Sequence, residues 1–296
     1  MQRKEGTEVL MRRTIGIILF VLCAASGMSA EVSADTSADV SVSERIAHTN
    51  VLKIKSGWSY QLDTYLSPLA YNGWQLGIGN EWWQPFRHDT RLGKTGRLDN
   101  WAHVGRVEIN GFQTVNPART NLISGMDFNG GWGAFFCWKW LDNRLKVFVG
   151  PYLEAGLTVR YISANVNKPV SLDLAADVMA MSGLSWSFYG KKTSYRLHYQ
   201  IRTNLVGFDC MPHYWQSYYE LTEGIPGVMR CSGHWNHHTV KHELGMDMQF
   251  IHSTWRVGMG HDYTNYHSDN LQFIRSTVSF IIGCIWNYQI KANNRL

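Results

Sequence analysis

From Leu145 to Tyr161 the chain alternates without a break. Leu145, Val147, Val149, Leu153, Leu157, Val159 and Tyr161 fall on one side, and Lys146, Phe148, Tyr152, Glu154, Thr158 and Arg160 on the other. A period of two is the period of a β-strand. A strand in a soluble sandwich usually runs about 5–6 residues. This one is far longer, as a tilted membrane-crossing strand with extensions beyond the bilayer would be.

The rhythm recurs. Leu174, Ala176, Val178, Leu184 and Trp186 oppose Asp173, Asp177 and Ser185. Tyr195, Leu197, Tyr199, Ile201 and Leu205 oppose Arg196, His198, Gln200, Arg202 and Asn204. Val240, Leu244, Met246, Met248 and Phe250 oppose Lys241, Glu243, Asp247 and Gln249. Aliphatic residues on one face and charges on the other describe a lipid-facing wall around a wet lumen. The expected fold is all-β, an antiparallel transmembrane β-barrel of about ten strands, within a range of roughly 10–12. The expected strands are 57–67, 73–88, 99–115, 122–140, 144–162, 171–189, 193–207, 236–251, 254–264 and 271–289. Pro68 with Asn72-Gly73 marks the first outer turn. The turns after strands four, six and eight are tight, and the longest connection runs from Phe208 to about Trp235. Short turns at the periplasmic end make that long loop extracellular. The ending Trp286-Asn287-Tyr288-Gln289-Ile290 suits a signal for the barrel-assembly machinery.

Composition narrows the function. Only 17% of the 296 residues are charged and 13% are aromatic, which excludes intrinsic disorder. The net charge of +5 is mild and unclustered, so no nucleic-acid partner is expected. Arg12-Arg13, the apolar run Ile15–Leu22 and the small residues up to Ser29-Ala30 read as an export signal over residues 1–30, too short to span a bilayer. Cys23 raises a lipoprotein alternative, against which stands the bulky Leu22 before it. Residues 31–56 then form a flexible periplasmic segment, residues 57–296 the barrel, and the outer membrane is the expected location. Cys210 and Cys231 bracket the long loop. A disulfide and two free thiols are both open there, because spacing alone does not settle a bridge.

Several groups have residue types that carry chemistry. By alternation from Leu244, Ser232, His234, Asn236, His238 and His242 fall on the outer, apolar face, with His261 and His267 nearby if Phe250 pairs with Trp255. Ionisable side chains on a lipid face are costly and ask for a reason. A hydroxyl, an imidazole and an amide at i, i+2 and i+4 suit nucleophile, base and orienter. The same residues equally suit an interfacial rim. In the long loop, Ser217 and Glu220 with His213 offer hydrolysis or sugar binding, or an aromatic plug. Asp63 lies on the lumen face, where a carboxylate is commonly structural. Asp262, Asn265 and Asn270 offer oxygens to a divalent cation such as calcium.

Leu62-Asp63-Thr64-Tyr65-Leu66-Ser67-Pro68-Leu69 with Tyr71 and Gly73, Asn116-Pro117-Ala118, Gln216–Glu220, Ser232-x-His234-x-Asn236, Arg256-x-Gly258, Asp262 and Asn270-Leu271 resemble a Bacteroidetes-type outer-membrane barrel family of unknown function. The resemblance runs from about Asp63 to the end. His213-Tyr214-Trp215 departs from that family's pattern before Gln216. Asp63 with Tyr71-Asn72-Gly73 and Leu76 is more weakly similar to lipid A 3-O-deacylases. A Ser and a His near the outer rim are similar in kind to outer-membrane phospholipase A, although the order here is Ser-x-His.

Two functions follow. The first is an acyl-ester hydrolase on lipid A, or on phospholipid, at the outer leaflet. In it His234 is the base, Ser232 or Ser217 the nucleophile, Asn236 or Glu220 the orienter and Asp63 a support. The second is a non-enzymatic barrel serving as a narrow pore, an adhesin or a scaffold.

Overall fold

The computed structural model describes residues 47–85, 100–141, 144–162, 169–189, 193–210, 229–250, 253–268 and 271–289. These form strands β1 (Ala47–Asp63), β2 (Ser67–Pro85), β3 (Trp101–Val115), β4 (Leu122–Trp140), β5 (Leu145–Ile162), β6 (Val170–Tyr189), β7 (Ser194–Cys210), β8 (Met229–Gly233), β9 (His237–Gln249), β10 (Thr254–Ser268) and β11 (Leu271–Gln289). All pairings are antiparallel, and β11 returns to β1 while β6 meets β7, so the sheet closes. Along its length β7 pairs first with β9 and then with β8. Those two are halves of one broken strand, and the barrel has ten staves. Closure matters because hydrocarbon offers no partner to an open sheet edge.

Two boundaries differ from expectation. The first strand begins at Ala47, so residues 47–56 belong to the wall instead of to a flexible segment. Its inward residues there include Lys53 and Lys55, whose charge hides a strand until the partners across the lumen are known. The first outer turn is Thr64–Leu66, while Asn72-Gly73 lies inside β2. Gly73 is needed for close approach, since a Cβ there would meet the Gln113 carbonyl oxygen at 1.9 Å.

The wall faces the way the alternation demands. On β5, Val149 and Leu153 are exposed while Phe148, Tyr152 and Arg160 are buried in the lumen. One end of the barrel carries the tight β4–β5, β6–β7 and β9–β10 connections, the start of β1 and the end of β11; we call it the turn end, and the opposite one the loop end. A belt of outward aromatic residues surrounds the turn end, with edge contacts between Trp101 and Phe136, Phe136 and Trp138, and Trp186 and Phe188. On β11 the outward file reads Ser276, Val278, Phe280, Ile282, Cys284, Trp286. At about 3.3 Å per residue and a tilt near 40°, its ten-residue length spans roughly 25 Å, the height of a barrel's apolar band. Trp286 lies at the turn end of that file, and Ile274 and Gln272 continue it beyond Ser276 toward the loop end.

The lumen is filled. Glu81 on β2, fully buried, accepts from Lys53 (2.8 Å), Arg106, Arg256 (3.3 Å) and the Trp83 indole (2.7 Å). Lys53 also donates to Glu243 at 2.7 Å, and Arg256 to Asp247 at 2.7 Å. Beside this network Val104, Phe135, Phe148, Tyr152, Met179 and Met181 form an apolar cluster from β3 to β6. Toward the loop end, ion pairs join Glu154 to Arg202 (2.7 Å) and Lys241, and Asp127 to Arg275 (2.6 Å). Replacing Glu81 with Leu takes one carboxylate from three buried cations, which keep only Glu243, Asp247 and Glu108. We expect Glu81→Leu to lose about 3–5 kcal/mol in urea unfolding of the detergent-folded barrel; a loss below 1 kcal/mol contradicts the central role of Glu81.

Candidate functional site

Two breaks in alternation sit side by side near the loop end. On β7 the register to β6 shifts between Val178 and Met179, which pair with Val206 and Asn204, so Leu205 is an extra residue. Such a bulge turns the following side chains over. Arg202 and Asn204 point inward before it, and Asp209 points inward after it. On the adjacent stave, the turn His234–Asn236 separates β8 from β9. Ser232 is inward before that turn, whereas on β9 the odd-numbered His237, Thr239 and Glu243 are inward.

This geometry corrects the expected Ser232–His234–Asn236 array. Ser232 is fully buried opposite Gly207 on the lumen side, and His234 is exposed on the turn, its ring 4.2 Å from that of His238. They do not share a face, so as placed they do not form a nucleophile and base pair. Asn236 holds the turn: its Oδ1 accepts from the Gly233 amide at 2.9 Å, and its carbonyl accepts from His267 at 2.8 Å. Asp63 also closes a turn, accepting from the amides of Tyr65 (3.0 Å) and Leu66 (3.4 Å), and lies 3.2 Å from Arg160. Ser217, Glu220, His213 and Asn270 lie outside the described residues. Asp262 lines the lumen, whereas Asn265 lies on the opposite side of β10, so these two do not join in one cation site. Cys231 is an exposed free thiol opposite Phe208, the second of the two readings the sequence left open.

What the barrel does assemble lies lower on the same outer wall. His242 on β9 stands directly opposite His261 on β10, because Gln249 pairs with Thr254; the register anticipated from Phe250 and Trp255 was two residues away. The two imidazoles stack, 6.0 Å between centroids and 12° between planes. His261 Nε2 lies 3.1 Å from Ser276 Oγ on β11. His242 Nδ1 lies 2.8 Å from the Tyr199 hydroxyl on β7. Tyr60 and Tyr263 flank Ser276 on the two neighbouring strands. A file of polar side chains, Tyr199, His242, His261 and Ser276, therefore crosses four staves of a lipid-facing wall and satisfies itself by hydrogen bonds. His242 and His261 were legible in the alternation. Tyr199 was placed on the same face but not beside His242, and Ser276 was not singled out. Ser276 is a lone hydroxyl in β11's otherwise apolar outward file, a signal that becomes meaningful only when the register brings His261 beside it.

The lumen at this level holds a cavity of about 130 Å³, lined by carboxylates including Glu108, Asp127, Glu154, Asp177 and Asp209, with Lys241 and Arg275.

The family model described as "Protein of unknown function (DUF3316)" matches residues 17–294. The chain belongs to that family. No curated protein matches the sequence. Among solved structures, the barrel is similar to the outer membrane protease OmpT from Escherichia coli, at 7% identity and a TM-score of 0.43, covering 86% of this chain and 100% of that one. The beta domain of the Bordetella autotransporter BrkA matches at 9% identity and TM-score 0.42, covering 82% and 100%. The transport unit of the autotransporter AIDA-I from Escherichia coli matches at 8% and 0.41, covering 90% and 97%. Similarity at this level leaves the function of the family to be read from its own side chains.

Cys231 is expected to take up one maleimide in the folded, non-reduced protein, with peptide mapping locating the adduct. Labelling only after reduction contradicts the free thiol.

Proposed function

We propose that this chain is an outer-membrane acyl-ester hydrolase that remodels lipid A, or a phospholipid, in the outer leaflet. One observation carries the reading: a serine hydroxyl and an imidazole within hydrogen-bond reach on the lipid-facing wall. Polar ionisable groups there are costly unless they serve a purpose. The loop end then faces outward, and residues 1–30 serve as the export signal.

Ser276 Oγ attacks the ester carbonyl while His261 Nε2 takes its proton. The carbonyl re-forms as the ester C–O bond breaks, and His261 returns the proton to the leaving alkoxide. Water, deprotonated by His261, then releases the fatty acid and regenerates Ser276. His242 stacks on His261 and is itself held by Tyr199, so the pair restrains the orientation of the base. The flanking phenols of Tyr60 and Tyr263 suit headgroup depth. Because the site lies in the wall, an acyl ester reaches it without leaving the membrane.

The filled lumen argues against a wide pore and gives the non-enzymatic reading a specific form, a scaffold or adhesin. Mass spectrometry of lipid A from cells with and without the gene separates the two. Wild type is expected to remove one ester-linked acyl chain. Ser276→Ala and His261→Ala are expected to lower the rate by about 10²–10⁴, and His234→Ala to leave it within about twofold. An unchanged acyl number in wild-type cells, with purified folded barrel also inert toward lipid A and phospholipid micelles, refutes the hydrolase.

A further inference from the structure

The cavity in the lumen contains a cluster that the wall site does not use. Asp177 on β6, Asp209 on β7 and His237 on β9 bring one ligand atom each within 4.8 Å of one another. His237 Nδ1 lies 3.2 Å from Asp209 Oδ1 and 3.7 Å from Asp177 Oδ1. Ligand atoms held about 2.0–2.2 Å from a common tetrahedral ion are roughly 3.4 Å apart, so these separations straddle the metal-bound value.

Four neighbouring carboxylates behave differently. Glu108, Glu154, Asp127 and Asp173 each have a lysine or arginine within ion-pair distance. Among the residues whose side chains are described, no lysine or arginine lies within that distance of Asp177 or Asp209, and His237 approaches both. Asp209 is 1% exposed, and apart from His237 Nδ1 neither of its carboxylate oxygens has a hydrogen-bond partner; Asp177 Oδ1 likewise has none but the same imidazole at 3.7 Å. A buried carboxylate left in that state is expensive, and a cation removes the cost.

The rest of the environment is built around those atoms. His237 Nε2 is 2.9 Å from Thr239 Oγ1, a contact that orients the ring and leaves Nδ1 for the cluster. Its carbonyl accepts from Asn204 Nδ2 at 2.6 Å, which fixes the start of β9. Asp177 faces Gly207, where a Cβ would lie 2.2 Å from Asp177 Oδ1. Glycine there makes room for the carboxylate.

We infer that Asp177, Asp209 and His237 bind a divalent transition-metal ion of the zinc class, with its remaining coordination positions open to the cavity. Calcium and magnesium take oxygen ligands, whereas an imidazole with two carboxylates suits zinc and its first-row neighbours. Three protein ligands and an open position is the arrangement of catalytic zinc sites. This site is independent of the hydrolase on the outer wall.

The test is calorimetric titration of Zn²⁺ into the full, untagged barrel in detergent, with folding of every variant checked by heat-modifiable gel mobility. Co²⁺ absorption supplies a second readout. One Zn²⁺ per chain is expected, with tetrahedral or five-coordinate Co²⁺ bands. Asp209→Asn and His237→Ala are expected to weaken binding at least tenfold, and Gly207→Ala to weaken it through displacement of Asp177. Asp262→Asn, in the same cavity, and His234→Ala, on the outer wall, are expected to stay within twofold. Absence of Zn²⁺ binding in the folded wild type overturns the site. So does an equal loss in Asp262→Asn, which means diffuse attraction to an acidic cavity, or displacement of the metal by an equal concentration of Ca²⁺.

Discussion

The barrel depends on the compensation of charge inside it. A closed sheet with an apolar outer wall must place its polar side chains inward, and there they have little water to solvate them. Glu81 resolves this by accepting from donors on four strands: Lys53 on β1, Trp83 on β2, Arg106 on β3 and Arg256 on β10. Glu243 repeats the arrangement from β9. These contacts span the lumen and tie together strands that are not neighbours in the sheet. Removing one partner leaves the others buried and less fully compensated, which costs more than the pair contributes. The same packing rules out a wide channel at this level and moves functional chemistry either to the wall or to the upper cavity.

On the wall, the cost runs the other way. A lipid-facing position favours aliphatic and aromatic residues, and most of the wall obeys. The file from Tyr199 to Ser276 departs from this, its four polar side chains on four staves paired by hydrogen bonds. A rim of histidine and tyrosine would suit headgroup level without needing hydrogen-bonded pairs. The proposed hydrolysis rests on the pairing of an imidazole nitrogen with a serine hydroxyl, which such a rim does not require.

Inside, the relevant device is a pair of irregularities. The extra residue Leu205 and the turn His234–Asn236 lie on adjacent staves, and together they reverse which residues face the lumen. Without the bulge, the parity of Arg202 and Asn204 would send Asp209 into the lipid. With it, Asp209 joins Asp177 and His237. Two local departures from a regular ladder thus produce the one group of carboxylates, among the described residues lining that cavity near the loop end, to which only a histidine comes close.

Alternation is a local property, and so the barrel class, the staves from β3 to β7 and the inward and outward faces were legible in the sequence. His242 and His261 could be placed on the wall for the same reason. The first half of β1 was hidden because Lys53 and Lys55 look like solvent residues until Glu81, Glu243 and Glu108 are seen across the lumen. Ser232, His234 and Asn236 were assigned to one face because a period of two carries no mark of where it breaks. The break, the register that brings Ser276 to His261 and the bulge that turns Asp209 inward are set by pairing between distant segments. The sequence by itself determined which residues want lipid and which want water; only the closed tertiary structure decided which of them meet, because a one-residue shift in a ladder costs little locally and reverses every side chain beyond it.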